Sequence, residues 1–220
     1  MKILLIAATA KEIKPFLNEH RKSDIFPGVD VLISGIGLTA TAYHLTKQIQ
    51  FKKPDLVIQA GVAGCFDKKI PLGSVVMVTQ DTIADQSVIE LKKLKTLFAL
   101  KLVPQNQFPF QKGWLVNPHA PFIKNGRLRA VKAISVNQIT TSKQMIRFYQ
   151  TEFHPAVESM EGAALHYVCL MEKIPFLQIR SISNYIGERD KKKWNMNESI
   201  FNLNKTLTGL LNLSRAKKQV

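Results

Sequence analysis

The sequence predicts an α/β fold: a single domain over residues 1–220, with a central, mostly parallel mixed sheet flanked by helices. Three observations carry this. Apolar runs alternate along the chain with amphipathic stretches, the pattern of strand–helix units. Several of the runs are nearly continuous Val, Ile and Leu, as in strands buried on both faces. Nothing in the 220 residues reads as a linker, and a chain of this length buries a core without disulfide or metal staples. A hydrophobic content of 45% excludes disordered, collagen-like and fibrous chains.

Residues 3–8 open the sheet. Met1-Lys2 followed by Ile3-Leu4-Leu5-Ile6-Ala7-Ala8 imitates a signal peptide, but the apolar run is too short and Lys11-Glu12 follow at once. A buried first strand is the better reading. Strands follow at 29–34, 56–60, 75–79, 130–136 and 176–181. The first helix expected, 40–50, follows a Gly-rich turn, and another at 142–150 follows Thr140-Thr141. A helix over 158–172 places Met160, Ala164, Tyr167, Val168 and Met171 on one side. The last helix shows Ile200, Leu203, Leu207, Leu210, Leu211 and Leu213 near a 3.6-residue period. Residues 91–128, with Pro104, Pro109, Pro118 and Pro121, read as an insertion or loop region.

The net charge of +15 raises nucleic acid as a partner. A binding patch should be clustered and interleaved with aromatics or glycine. Here the cations form short runs, as in Lys191-Lys192-Lys193, and read as a solvated surface that also attracts anionic substrates. No run approaches the roughly 18 apolar residues of a membrane span. Cys65 and Cys169 make neither a disulfide framework nor a zinc set, which points to a cytoplasmic setting. The five histidines show no metal spacing, and no metal or organic cofactor is implied.

In sheets of this kind ligands bind outside the carboxyl ends of the strands. Glu12, Gly35-Ile36-Gly37, Gly61-Val62-Ala63-Gly64 and Ser183-Asn184 all fall at such ends and can converge on one rim. Gly35–Ala40 matches G-x-G-x-x-A, yet a dinucleotide site needs an acidic residue at the end of the next strand, and Asp55 precedes that strand. What survives is a turn whose N–H groups face a polar ligand, or simply a tight turn. Gly61–Gly64 reads as a second small-residue turn. No Walker A motif exists, which argues against a nucleoside triphosphate enzyme. Glu158 reads as a carboxylate serving a helix N-terminus. Glu161 stands where that helix turns apolar, so its charge needs a partner or a ligand.

Together, Glu12, Ser34-Gly35-Ile36-Gly37, Gly61–Gly64, Met160-Glu161-Gly162-Ala163-Ala164 and Ser183-Asn184 resemble, in that order, the purine nucleoside phosphorylase/hydrolase superfamily. The branch is that of the methylthioadenosine/S-adenosylhomocysteine nucleosidases. The futalosine hydrolases are the nearer match, through Met-Glu-Gly-Ala-Ala and the tail Ser183-Asn184, Arg189-Asp190 and Trp194. The resemblance covers nearly the whole chain and is weakest over 86–128, where Gln86-Ser87 replace an expected Gly after Asp85.

The resemblance implies a nucleoside phosphorylase/hydrolase-like fold and an enzyme that breaks an N-glycosidic bond. It makes Glu12 the water-activating base and Glu161 the carboxylate that accepts the ribose hydroxyls. Met160 packs on the sugar, and the backbone around Ile139 faces the base. Ile36, Val62, Ala63 and Gly64 are further substrate contacts. The implied partners are a small nucleoside and water, with no nucleic acid or membrane, in a homodimer or higher homo-oligomer.

Position 184 bears on the base. The adenine-specific nucleosidases carry Asp here, whereas an amide offers two donor hydrogens to the N7 and O6 acceptors of a 6-oxopurine. Asn184 therefore favours hypoxanthine, assisting the leaving base by hydrogen bonding. A carboxylate at Glu12 repels phosphate, which favours water as nucleophile. The expected reaction is hydrolysis of futalosine to hypoxanthine and dehypoxanthine futalosine, in menaquinone biosynthesis. The alternatives are an adenine-type nucleosidase, a phosphate-dependent phosphorylase and a non-catalytic basic nucleic-acid-binding module. Futalosine carries a benzoate, for which Arg189 is a candidate cation. A surface salt bridge from Arg189 to Glu188 or Asp190 is the favoured reading.

Overall fold

The computed structural model of the chain describes residues 1–23, 26–119 and 128–216. Strand β1 (Ile3–Ala7) shows why its run is continuously apolar, because both of its faces are covered. Alternate side chains of a strand face opposite layers. Ile3, Leu5 and Ala7 pack with Phe16 of helix α1 (Lys14–Ser23) and with Leu203, Leu207 and Leu211 of α5 (Met196–Ala216). Leu4 and Ile6 pack with Leu45 and Ile49 of α2 (Leu38–Phe51) and with Leu165, Val168 and Cys169 of α4 (Gly162–Met171).

Strands β2 (Val29–Ile33) and β3 (Leu56–Cys65) pair in parallel with β1 on either side. Beyond β1, the second half of β3 pairs antiparallel with β9 (Val157–Ser159). Its other edge pairs in parallel with β10 (Phe176–Tyr185). From β10 the sheet continues to β4 (Val75–Asp81), then β8 (Arg129–Ser135), then back to β9. Strands β3, β10, β4, β8 and β9 thus close into a ring, with β1 and β2 as an open wing. Closure leaves those strands without free edges. Parallel pairs outnumber antiparallel ones, so the sheet is the mixed, mostly parallel one expected. No helix among the described residues is long and apolar enough to cross a membrane.

Several element boundaries differ from the sequence reading. Gly61–Gly64 is not a turn but the second half of β3, held extended by β9 and β10. Ser183-Asn184 likewise lie inside β10. The expected helix 158–172 divides: Val157–Ser159 are taken by β9, and the helix starts only at Gly162. Glu158 therefore serves no helix N-terminus. Helix α1 was not expected, and α3 (Lys143–Phe153) runs three residues past the expected end. The region 91–128 is more ordered than a loop. It holds β6 (Lys93–Thr96), paired with β5 (Ser87–Glu90), and β7 (Leu115–Val116) on β4. The hairpin turns through Leu91 and Lys92, both at positive φ as tight primed turns require. Pro121 lies outside the described residues.

Candidate active site

A cavity of about 300 Å³ opens beside the carboxyl ends of β1, β3 and β10. It brings together all nine residues singled out from the sequence: Glu12, Ile36, Val62, Ala63, Gly64, Ile139, Met160, Glu161 and Asn184. Ile36 and Ile139 stand at its exposed rim, at 62% and 49% exposure. Ile36 sits between Gly35 and Gly37, whose φ values of 80° and 95° favour glycine.

Glu12 lies in the turn after β1. Its Oε2 accepts from the Thr9 N–H at 3.0 Å and the Thr9 hydroxyl at 2.9 Å, and its Oε1 accepts from the Val62 N–H at 3.1 Å. Three donors hold the carboxylate at the cavity wall. The strand beneath must be bare at Gly61: a Cβ there would collide with Arg180 Nη1 and approach Glu12 Oε1. Both groups therefore project over the same glycine.

Glu161 occupies the N-cap position of α4 but makes no side-chain cap bond. Its Oε1 accepts from the Gly37 N–H at 3.2 Å and its Oε2 pairs with Arg180 Nη1 at 3.3 Å. The turn at Gly35–Gly37 thus turns an N–H toward the buried carboxylate. Arg180 Nη2 donates to Gln59 Oε1 at 2.7 Å. Sequence reasoning missed Arg180. The available signal was the one charged residue of a buried strand, where a charge needs a partner.

Asn184 is fixed by its neighbours. Its Oδ1 accepts from the Ser183 hydroxyl at 2.8 Å, and Nδ2 donates to the Tyr185 carbonyl at 3.2 Å. The amide has a second N–H to offer a ligand. Glu158, also missed as a cavity residue, is buried. One oxygen accepts from the Thr140 N–H at 3.0 Å and the other has no partner. Burial pushes its carboxyl above the usual range, and the nearby Asp85 carboxylate adds to the rise.

Ile186, Trp194, Met196 and Ile200 form an apolar wall. The Arg189 guanidinium lies 5.8 Å from the Trp194 ring centre. The salt bridge expected of Arg189 is taken otherwise: Glu188 pairs with Lys193 at 3.2 Å, and Asp190 accepts from the Lys192 N–H. Lys193 and Lys192 lie in the 3-10 turn that Asp190 caps, which brings them within reach.

Below the N-terminus of α4 lies a second polar layer. Ser135 donates to Asp81 at 2.9 Å and accepts from the Ala163 N–H at 2.8 Å. Gln178 Nε2 donates to the other Asp81 oxygen at 3.3 Å. Burial pushes the Asp81 carboxyl up to about 7. Gly162 is required here, because a Cβ would collide with Asp81 and Gln178.

The chain belongs to the phosphorylase superfamily, whose family model matches residues 2–216. Among its curated relatives are nucleosidases of two kinds. A 5'-methylthioadenosine/S-adenosylhomocysteine nucleosidase of Glaesserella parasuis serovar 5 is 28% identical over 215 residues, covering 84% of this chain and 86% of that protein. A futalosine hydrolase of Streptomyces coelicolor is also 28% identical, over 199 residues, covering 85% of this chain and 79% of that protein. Among solved structures, the futalosine hydrolase of Helicobacter pylori strain 26695 superposes with a TM-score of 0.77 at 20% identity, over 96% of this chain and 97% of that one. The nucleosidase of the same organism, solved with butyl-thio-DADMe-Immucillin-A, gives a TM-score of 0.77 at 22% identity, over 96% and 98%.

Proposed function

We propose that this chain hydrolyses the N-glycosidic bond of futalosine, releasing hypoxanthine and dehypoxanthine futalosine as a step of menaquinone biosynthesis. The observation that carries the reading is Asn184: Ser183 occupies its carbonyl oxygen, so the amide meets the cavity as a donor. A donor suits the N7 and O6 acceptors of a 6-oxopurine, while adenine presents an amino donor at position 6.

The remaining roles follow from placement. Breaking the bond builds positive charge on the ribose and needs an activated water. Glu12, held by Thr9 and Val62, takes the water's proton as general base. The water lies against the Glu12 carboxylate on the cavity wall. Glu161, fixed by Gly37 and Arg180, accepts from the ribose hydroxyls, and these bonds strengthen as charge develops. Met160 packs on the sugar, and Ile36, Val62, Ala63, Gly64 and Ile139 enclose the nucleoside. Three carboxyl groups line the cavity against one lysine, Lys11, and Arg180 is committed to Glu161 and Gln59. Such a site repels phosphate and favours water.

The second reading, an adenine-type nucleosidase, is favoured by relatives of that name at the same 28% identity. Base release from futalosine, inosine and methylthioadenosine, each with and without phosphate, separates the readings. Hypoxanthine from futalosine without phosphate is the expected result. Adenine from methylthioadenosine alone overturns the base assignment, and release only with phosphate overturns water as nucleophile. The reading includes a homo-oligomer. Tyr43 on α2 and Tyr167 on α4 are exposed beside an apolar groove, a surface that a second copy would cover. A monomer by light scattering overturns that part.

A further inference from the structure

Lys11 is the one cation among the residues that line the active-site cavity. It is exposed, and no ion pair among the described residues takes its ammonium. The two carboxylates of the proposed chemistry are already engaged. Thr9 and Val62 hold Glu12, and Gly37 and Arg180 hold Glu161. Water activation and ribose binding fall to those two groups, which leaves the hydrolysis itself with no use for Lys11.

The lining that base and ribose leave over is apolar, with Trp194, Met196 and Ile200. Met196 and Ile200 are four residues apart on α5, and Asn204 follows at the same spacing, so the three share a face of the helix. Asn204 Nδ2 donates to the Glu12 carbonyl at 2.8 Å, and its Oδ1 accepts from the Phe16 N–H at 3.0 Å. These bonds clamp α5 to the turn that carries Lys11. The Trp194 indole N–H donates to the Glu188 carbonyl at 3.2 Å, which steadies the ring. An apolar wall and an uncommitted cation thus stand on one clamped frame. Pockets of this make-up take an apolar chain along the wall and use the single polar group to fix its end. Arg189, the cation considered from the sequence, lies 5.8 Å from the Trp194 ring centre and does not line the cavity.

We propose that Lys11 selects substrates by their tails. It pairs with a carboxylate at the end of the nucleoside's 5' substituent, while the apolar part of that substituent lies on Trp194, Met196 and Ile200. The inference rests on the nucleosidase reading above and deepens it. The benzoate of futalosine is such a tail, and the amino-acid end of S-adenosylhomocysteine is another. Inosine and methylthioadenosine have none. Choice of tail is thereby separate from choice of base.

The test compares kcat/KM for futalosine and inosine in the wild-type protein, Lys11→Met and Lys11→Arg. An exposed ion pair is worth up to about fivefold, and more where an apolar wall excludes water. The futalosine-to-inosine ratio should fall at least about threefold in Lys11→Met, mainly through KM, and Lys11→Arg should restore it. Raising salt from about 20 mM to about 500 mM should lower the same ratio in the wild-type protein, which needs no variant to fold. Equal loss on both substrates, an unmoved ratio, or a ratio indifferent to salt overturns the proposal. A fall in Arg189→Leu with none in Lys11→Met also overturns it and moves the carboxylate to Arg189. The base reading fails separately, if the wild-type protein releases adenine and no hypoxanthine. The ratio of S-adenosylhomocysteine to methylthioadenosine then tests Lys11 in the same way, and release of neither base overturns both readings.

Discussion

Arg180 and Glu161 form an ion pair at 3.3 Å with side-chain exposures of 1% and 7%, joining the middle of β10 to the N-terminus of α4. A pair this sealed is a poor source of stability in itself, because both charges lose their water. Removing one partner, however, strands the other and costs about 3–5 kcal/mol. Its use is geometric, since it aims the Glu161 carboxylate at the cavity.

Arg180→Lys tests that use. A single ammonium cannot reproduce the fork that reaches both Glu161 and Gln59. The variant should lose about 1–3 kcal/mol of stability in a denaturant titration. Its turnover should fall by at least about tenfold, as Glu161 loses its fixed orientation. Wild-type turnover in Arg180→Lys would remove the guanidinium from the site's architecture.

Glu12→Gln should lower kcat by about 10²- to 10⁴-fold, the usual worth of a general base. Substrate affinity should hardly change, because an amide still fills the space beside Thr9 and Val62. Single-turnover kinetics with equilibrium binding separate the two quantities. A variant that binds poorly and turns over normally would make Glu12 a substrate ligand and not the base.

The residues around Glu12 and Glu161 show what a sequence discloses and what it hides. Glu12 was legible because a charged pair directly after a buried strand marks a strand end, and Glu161 because a carboxylate precedes small apolar residues. Arg180 was hidden because its partners are Gln59 and Glu161, 121 and 19 residues away. The length of β3 was hidden for a related reason. Gly, Ala and Gly have weak strand preference, and only pairing with β9 and β10, remote in sequence, holds Gly61–Gly64 extended. Glu158 was misread because three residues of strand do not interrupt a helical apolar pattern enough to be seen.

Asn184→Asp exchanges an amide for a carboxyl that, once protonated, donates at one oxygen and accepts at the other. Preference should move toward adenine nucleosides by about tenfold or more in the ratio of the two kcat/KM values. The Ser183 hydroxyl can still donate to the new side chain, so the fold should tolerate the change. A ratio that stays in place would mean that the base is read elsewhere.

Asp81→Asn should change how stability depends on pH. The folded protein holds the Asp81 carboxyl up to about 7 through burial, against an ordinary value near 3.8. A carboxyl raised on folding stabilises the protein below its unfolded value, and that contribution is lost as pH rises through the folded value. The loss therefore runs from about pH 4 to about pH 7 and amounts to at most roughly 4 kcal/mol, at 1.36 kcal/mol per unit. His166 opposes it in the same window, because burial lowers its imidazole to about 4 and folding then weakens as pH falls below 6.5. The wild-type curve alone would hide both effects, so the informative quantity is the difference between variant and wild type. Arg180 is the other charged group facing this layer. An Asn at 81 can keep the bond from Ser135, and Gln178, whose Oε1 has no partner, can turn to accept from the new amide. Thermal unfolding from pH 4 to pH 8 should show Asp81→Asn gaining steadily on the wild-type protein as pH rises. Two parallel curves would mean that Asp81 does not change its charge in this range.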